Sequence, residues 1–236
     1  MPENELESHP YLLRQIDNFK DAVQLSKYGK LIVGTFPIYA ITESEPVEEM
    51  GSQLRDNWFE EAFIKYFYGS RSNHFWELFC TAFDEELPYN IFEALELLNK
   101  HQFLITDVFS HSCRLNYSPL DNHLISMVIN ESIIDILQNA INLNIVYFTS
   151  KATKRIFCKI LQVPFINSYD SMEAILGKDL RMIILISPAG NGRAAWHFRH
   201  HFPLSQEELN NRQIGNGYAI GYRERYYKNY LTIPCD

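Results

Sequence analysis

The 236-residue chain has the length of one α/β domain with a sizeable core, and its composition is that of an ordinary globular protein. A net charge of −8 disfavours a protein that coats nucleic acid without specificity, although a local basic patch is compatible with it. No apolar run approaches the roughly 20 residues that cross a bilayer, and the start of the chain lacks a secretion signal. We therefore expect a cytoplasmic protein that does not enter a membrane.

Metal and disulfide chemistry find little support in the sequence. The four cysteines lie far apart and form no C-x-x-C pair, which argues against a zinc knuckle, an iron–sulfur cluster and a disulfide framework. His197, His200 and His201 resemble a metal cluster, but no H-E-x-x-H motif, nearby cysteine or nearby acid completes it. We interpret them as basic surface and expect no metal and no cofactor.

Helical and strand-like patterns alternate along the chain. In chain order they predict a helix over 10–27, a strand over 30–36, an acidic loop from 42 to about 51, helices around 54–67, 73–82 and 90–101, a strand over 102–109, a helical stretch over 121–142, a strand over 144–150, a helix ending near 161, a short helix near 171–177, a strand over 181–187, and helical pieces and loops to about 230.

Strands separated by helices imply right-handed crossovers and a mostly parallel sheet that is covered on both faces. We predict an α/β fold of three layers, α/β/α, with a central, mostly parallel, four-stranded sheet. One domain spans 1–236, with an N-terminal helical extension over 1–28 and an acidic insertion over 41–57. Ligands of such sheets bind outside the carboxyl ends of the strands, which selects the turns after Val33, Ile105, Phe148 and Ile186.

Two of the candidate site segments contain a glycine beside aromatic residues. In the turn after Val33, Gly34 permits the close approach of a ligand and Pro37 fixes the chain, while Phe36 either stacks on a planar ring or belongs to the core. A polar loop before residue 73 leads into a helix rich in aromatic residues. Asn73 either caps this helix or presents its amide to the site, and the aromatic residues that follow are typical of a core.

The other two candidate segments are polar. Asp107 ends an apolar strand and is costly to bury unless it is paired, so it either caps the next element or reads the edge of a ligand, with Arg114 close enough in sequence to be its partner. The glycine-rich turn after Ile186 is typical of an anion site that uses backbone N–H groups. Its candidate residues are Ser187, Pro188, Gly190, Asn191 and Arg193. No P-loop, dinucleotide motif or G-x-S-x-G accompanies it.

The order and spacing of these segments resemble the uracil-DNA glycosylase superfamily, and within it the mismatch-specific and hypoxanthine-DNA glycosylase branches. The matching pieces, from about residue 31 to 196, are LIVGTFP, YFYGSRSNHFWELF, FLITDVFSHSCRLNYSPLDNHLI, IVYFTSKATKRIF and ILISPAGNGRAAW. The resemblance implies a monofunctional DNA glycosylase of base-excision repair. Such an enzyme flips a deaminated base, uracil or hypoxanthine, out of DNA and hydrolyses its bond to the sugar without metal or cofactor.

The resemblance also implies roles for individual residues. The turn 34–37 matches the first motif, which approaches base and sugar, and Thr35 or Phe36 stands where many members have a catalytic Asn or Asp. Asn73 matches the essential Asn of the hypoxanthine branch and is expected to orient the water or stabilise developing charge. Phe36 would stack on the base and Asp107 would read its edge. The loop 187–193 matches the second motif, which enters the minor groove, and Ser187 and Arg193 would hold the DNA backbone.

A second hypothesis is a noncatalytic glycosylase-like protein that binds nucleic acid or a nucleobase. The changed first motif, the apolar Ile186 before Ser187 and the negative net charge favour it. The enzyme hypothesis predicts a monomer whose partner is DNA with a damaged or mismatched base. It requires Asn73, Phe36 and Asp107 to line one cleft with Arg193 at its rim.

Overall fold

The computed structural model describes residues 6–9, 15–16, 20–37, 66–69, 73–115, 123–188, 200, 203, 205–206 and 216–235, with the backbone alone for 216–220. The described elements are, in chain order, β1 (Glu7–Ser8), α1 (Ala22–Leu25), β2 (Lys30–Gly34), α2 (Phe75–Phe83), α3 (Ile91–Lys100), β3 (Phe103–Asp107), β4 (Phe109–Arg114), β5 (Leu124–Ile129), α4 (Ser132–Asn139), β6 (Ile145–Phe148), α5 (Lys151–Ile160), β7 (Asp170–Ile175), β8 (Lys178–Ile184) and α6 (Asn216–Leu231).

The central sheet has the strand order β3-β2-β6-β8-β7, and the first four of these strands run parallel. These four strands confirm the predicted mostly parallel sheet. The sheet has five strands rather than the predicted four, because the segment predicted as a short helix near 171–177 is β7, which pairs antiparallel with β8 at the edge. The two strands form a hairpin in which Leu176 and Gly177 both have positive φ, 51° and 77°. Two such residues in succession match the twist of a tight hairpin, and this turn signal outweighs the weak helical pattern.

The two faces of the central sheet are covered by different helices, which confirms the three layers. Along β2, Ile32 packs into a cluster with α2, α3 and α6, whereas Leu31 and Val33 pack into a cluster with α1, α4 and α5. Side chains alternate across a strand, so adjacent residues enter opposite cores. This is why the buried strands are apolar at nearly every position.

A second, three-stranded sheet of order β1-β4-β5 stands beside the first and is antiparallel. Because β5 occupies 124–129, the helix predicted over 121–142 is wrong in its first half and α4 begins only at Ser132. The β-branched residues of β5 suit a strand once a partner is available, and β4 supplies that partner.

The N-terminal region and the insertion are only partly described. Within 1–28, residues 7–8 form β1 and a four-residue helix, α1, covers 22–25 with Asp21 as its cap. Much of the helix predicted over 10–27, most of that around 54–67, and the whole acidic insertion 41–57 lie outside the described residues. No helix in the described ranges has the length and apolarity needed to cross a membrane.

Candidate functional site

The carboxyl ends of three adjacent parallel strands meet at one place. Gly34 at the end of β2 is in register with Asp107 at the end of β3. On the other side of β2, the N–H of Thr149, just after β6, donates to the carbonyl of Val33 over 3.1 Å. Three of the four turns selected by the strand-end rule are therefore immediate neighbours.

Asp107 is 1% exposed, and both of its carboxylate oxygens are hydrogen-bonded. His9 Nε2 lies 3.0 Å from Oδ2, and the Tyr68 hydroxyl donates to Oδ1 over 3.2 Å. The expectation that Arg114 partners Asp107 is wrong. Arg114 instead forms a buried ion pair with Glu7 at 3.0 Å, because β1 pairs with β4 and brings Glu7 alongside it.

Gly34 makes room for the Tyr68 hydroxyl. A Cβ at Gly34 would lie 1.8 Å from the Tyr68 hydroxyl oxygen and 2.2 Å from Asp107 Oδ1. The sequence suggested that this glycine admits a ligand, whereas here the close approach is made by a tyrosine. Burial raises the pKa of Tyr68 well above its usual value, and the neighbouring Asp107 raises it further. Tyr68 also has a left-handed backbone with a φ of 57°, which is costly for an aromatic residue.

The remaining residues of the first turn have protein partners. The Thr35 and Thr153 hydroxyl oxygens are 3.1 Å apart, which joins the turn to α5. Phe36 is only 8% exposed, with the His9 ring at 5.8 Å edge-on and the Arg114 guanidinium 5.7 Å from its ring centre. The Pro37 carbonyl accepts a hydrogen bond from Arg114. Of the two alternatives for Phe36, this placement is that of a core side chain.

Asn73 is half-buried at the start of α2, and its Oδ1 accepts a hydrogen bond from the N–H of Phe75 over 3.0 Å. This contact lies at the start of α2, as the capping alternative of the sequence analysis expects, although the cap position itself is His74. The N–H of the next residue, His74, donates to the Pro188 carbonyl over 3.1 Å. The Asn73 segment and the turn after β8 are therefore adjacent.

The turn after β8 is held by α6. Arg223 donates to the carbonyls of Ser187 and Pro188 over 3.3 and 3.0 Å, and Tyr227 donates to that of Ile186 over 3.0 Å. Arg223 is 2% exposed, and burial lowers its pKa. Of the residues predicted in this loop, Gly190, Asn191 and Arg193 lie outside the described residues.

The structure thus connects most of the predicted residues that it describes. Gly34 and Asp107 meet under Tyr68, and the Tyr68 ring packs on Phe75 with ring centres 4.8 Å apart, next to Asn73. Sequence reasoning missed His9, Tyr68 and Arg223 as parts of this arrangement. Only Tyr68 carried a signal, as an aromatic residue before the polar loop. Within the described ranges, no group of three or more His, Cys, Asp or Glu side chains could hold a metal ion.

No protein-family model matches the chain, and no curated protein matches it. Among solved structures, it is similar to a solution NMR structure described as "a putative Uracil DNA glycosylase from Methanosarcina acetivorans". The two share 16% sequence identity with a TM-score of 0.45, over 87% of this chain and 90% of the other.

Proposed function

We propose that this protein is a DNA glycosylase that hydrolyses the N-glycosidic bond of a flipped uracil or hypoxanthine in base-excision repair. The observation that carries the proposal lies at the carboxyl ends of β2, β3 and β6. There the side chains of Asp107 and Tyr68 are hydrogen-bonded to each other directly beside Gly34. The segment of Asn73 and the turn at Ser187–Pro188 adjoin this place. The same segments, in the same order, carry the resemblance to the uracil-DNA glycosylase superfamily.

The reaction needs only hydrogen bonds and a positioned water. The bond between C1′ and the base nitrogen breaks with its electron pair going to the base, while the oxygen of a water bonds to C1′. The water loses one proton and the base gains one, so no metal or redox partner is needed. In this proposal Thr35 lies beside the sugar, and Asn73 provides hydrogen bonds that strengthen as charge develops. Because Oδ1 of Asn73 accepts a hydrogen bond from the N–H of Phe75, the amide nitrogen of Asn73 is the end that would donate to the substrate.

DNA would bind along the turn after β8. In the proposal, this turn enters the minor groove with Ser187, Pro188, Gly190 and Asn191, and Arg193 holds a phosphate. Arg223 supports it from beneath by binding two successive carbonyls, which keeps the turn in one conformation. Flipping a base costs a few kcal/mol, and contacts of this kind to the DNA backbone offset that cost.

A second candidate is a noncatalytic protein of this fold that binds nucleic acid or a nucleobase. The observation that favours it is that the side chains predicted to act on the substrate already contact other residues of the protein. Thr35 contacts Thr153, Phe36 lies under His9 and Arg114, and the Asn73 side chain binds a backbone N–H. These contacts engage hydrogen-bonding groups that an enzyme of this kind would offer to its substrate.

An excision assay separates the two candidates. Oligonucleotides with one uracil, hypoxanthine or xanthine, single- and double-stranded, are incubated with the wild type and with Asn73→Ala. Asn90→Ala is the control, since the Asn90 side chain, like that of Asn73, accepts from the N–H two residues ahead at the start of a helix, and it accepts from the N–H of Glu93 as well. Both variants should lose about 1 kcal/mol of stability, but only Asn73→Ala should lose excision. Equal excision by the two variants would remove Asn73 from the mechanism, and no excision by the wild type would favour the binding protein.

A further inference from the structure

Asp107 is poorly placed to touch a base itself. It is 1% exposed, and its two oxygens already accept hydrogen bonds from His9 and from Tyr68. Tyr68 is half-buried, so it is more exposed than Asp107, and its hydroxyl lies against the carboxylate and Gly34 at the strand ends. A ligand at this end of the sheet therefore meets Tyr68 before it meets the carboxylate.

The hydrogen bonds of the Tyr68 hydroxyl leave one free acceptor position. An ionised carboxylate only accepts, so the phenol proton points to Asp107. The Thr149 side chain also hydrogen-bonds to the Tyr68 oxygen, and Thr149 must then be the donor. A phenol oxygen has two lone pairs, and Thr149 uses one of them. The raised pKa keeps the Tyr68 hydroxyl neutral at physiological pH, so it remains a donor to Asp107.

We propose that the Tyr68 oxygen accepts a hydrogen bond from the ring N–H of the bound base, with Asp107 and Thr149 as the residues that position it. This inference rests on the proposed function and names the feature of the substrate that the site recognises. Three strand ends contribute, since Asp107 ends β3, Gly34 ends β2 and Thr149 follows β6. The ring of Tyr68 is held from its other side by Phe75.

A hydrogen-bond acceptor in this position distinguishes a deaminated base from its parent base by the ring N–H. Uracil has an N–H at N3 and hypoxanthine has one at N1, each beside a carbonyl. Their parent bases, cytosine and adenine, have a lone pair at the same ring nitrogen, which would face the lone pair of Tyr68. A site that hydrogen-bonds one particular group rejects analogues without it far more strongly than a hydrophobic pocket can. Tyr68 is thus a specificity-determining residue that separates uracil from cytosine and hypoxanthine from adenine.

The test is a cycle that removes the hydroxyl from the protein and the N–H from the base. Wild type and Tyr68→Phe are assayed on single-stranded oligonucleotides carrying uracil or N3-methyluracil, where no pairing is disturbed by the methyl group. Tyr68→Phe should lower kcat/KM on uracil about 10- to 100-fold and change that on N3-methyluracil little. The matched control is Tyr28→Phe, which should leave kcat/KM on both substrates unchanged. The Tyr28 hydroxyl donates to Asn99 at the opposite end of β2.

Binding of the free base separates this inference from the proposed function. Uracil and 3-methyluracil are titrated into both proteins and followed by ligand-observed NMR. Excision that Tyr68→Phe leaves unchanged would overturn the role of Tyr68 and leave the glycosylase standing. If uracil binding requires Tyr68 but no excision occurs, the glycosylase is overturned and the role of Tyr68 stands. If the protein shows neither binding nor excision, both are overturned. If Tyr68→Phe does not fold, Thr149→Val takes its place, with an expected loss of several-fold on uracil alone.

Discussion

Replacing Gly34 with alanine tests the close contact at the centre of the candidate site. The new Cβ would lie 1.8 Å from the Tyr68 hydroxyl oxygen, whereas real Cβ atoms essentially never come closer than 3.0 Å to another heavy atom. The hydroxyl must therefore move by at least about 1.2 Å, the difference between these two distances. Asp107 Oδ1, at 2.2 Å, must move as well.

The size of the effect follows from the hydrogen bonds that such a movement breaks. The 3.2 Å bond between Tyr68 and Asp107 is disrupted, which leaves a buried carboxylate with one partner fewer. An unsatisfied buried group and a strained side chain together cost about 2–4 kcal/mol. We expect Gly34→Ala to lose that amount of unfolding free energy, measured by urea denaturation followed by circular dichroism.

A double variant and a control make this prediction specific. Tyr68→Phe removes the atom nearest to the new Cβ, so the loss in Gly34→Ala/Tyr68→Phe should be smaller than the sum of the single losses by about 1 kcal/mol. Gly177→Ala is the control, because Gly177 has a φ of 77° and a Cβ added there would meet no atom within 4 Å. It should lose about 1 kcal/mol through backbone strain and add independently to Tyr68→Phe. A loss below about 0.5 kcal/mol for Gly34→Ala, or strict additivity, would refute the reasoning.

Two further predictions concern charged groups outside the strand ends. Arg114→Met removes the ion pair between Arg114 and the buried Glu7 and should cost about 3–5 kcal/mol in urea denaturation. Glu7→Leu/Arg114→Met should recover part of the loss, and an equal loss in both variants would contradict this. Hydrogen bonds from Lys100 and His101 lower the pKa of Glu85, so its contribution to stability is present above the pKa of the unfolded chain and disappears as pH falls through the lowered value. Glu85→Gln should therefore melt below the wild type at pH 7, with a difference that narrows towards pH 3, and a constant difference would show that the ion pairs contribute nothing.

The sequence by itself determined the parallel part of the central sheet. Its four parallel strands are short apolar runs whose residues are buried on both faces, and this pattern depends on the local residues alone. The strands β5 and β7 were predicted as helix because their patterns are mixed. Only the antiparallel partners β4 and β8 make them strands, and pairing with a distant or hairpin partner is a tertiary property.

The candidate site divides in the same way. The strand-end rule placed Gly34 beside Asp107 because parallel strands in register bring their ends together. The partners of Asp107 came from the tertiary structure alone, since His9 is 98 residues away and Tyr68 is 39 residues away. Arg114 was assigned by nearness in sequence, yet the pairing of β1 with β4 gave it Glu7 instead. A buried charge is neutralised by whichever group the fold brings within hydrogen-bonding distance, and sequence separation places no limit on that choice.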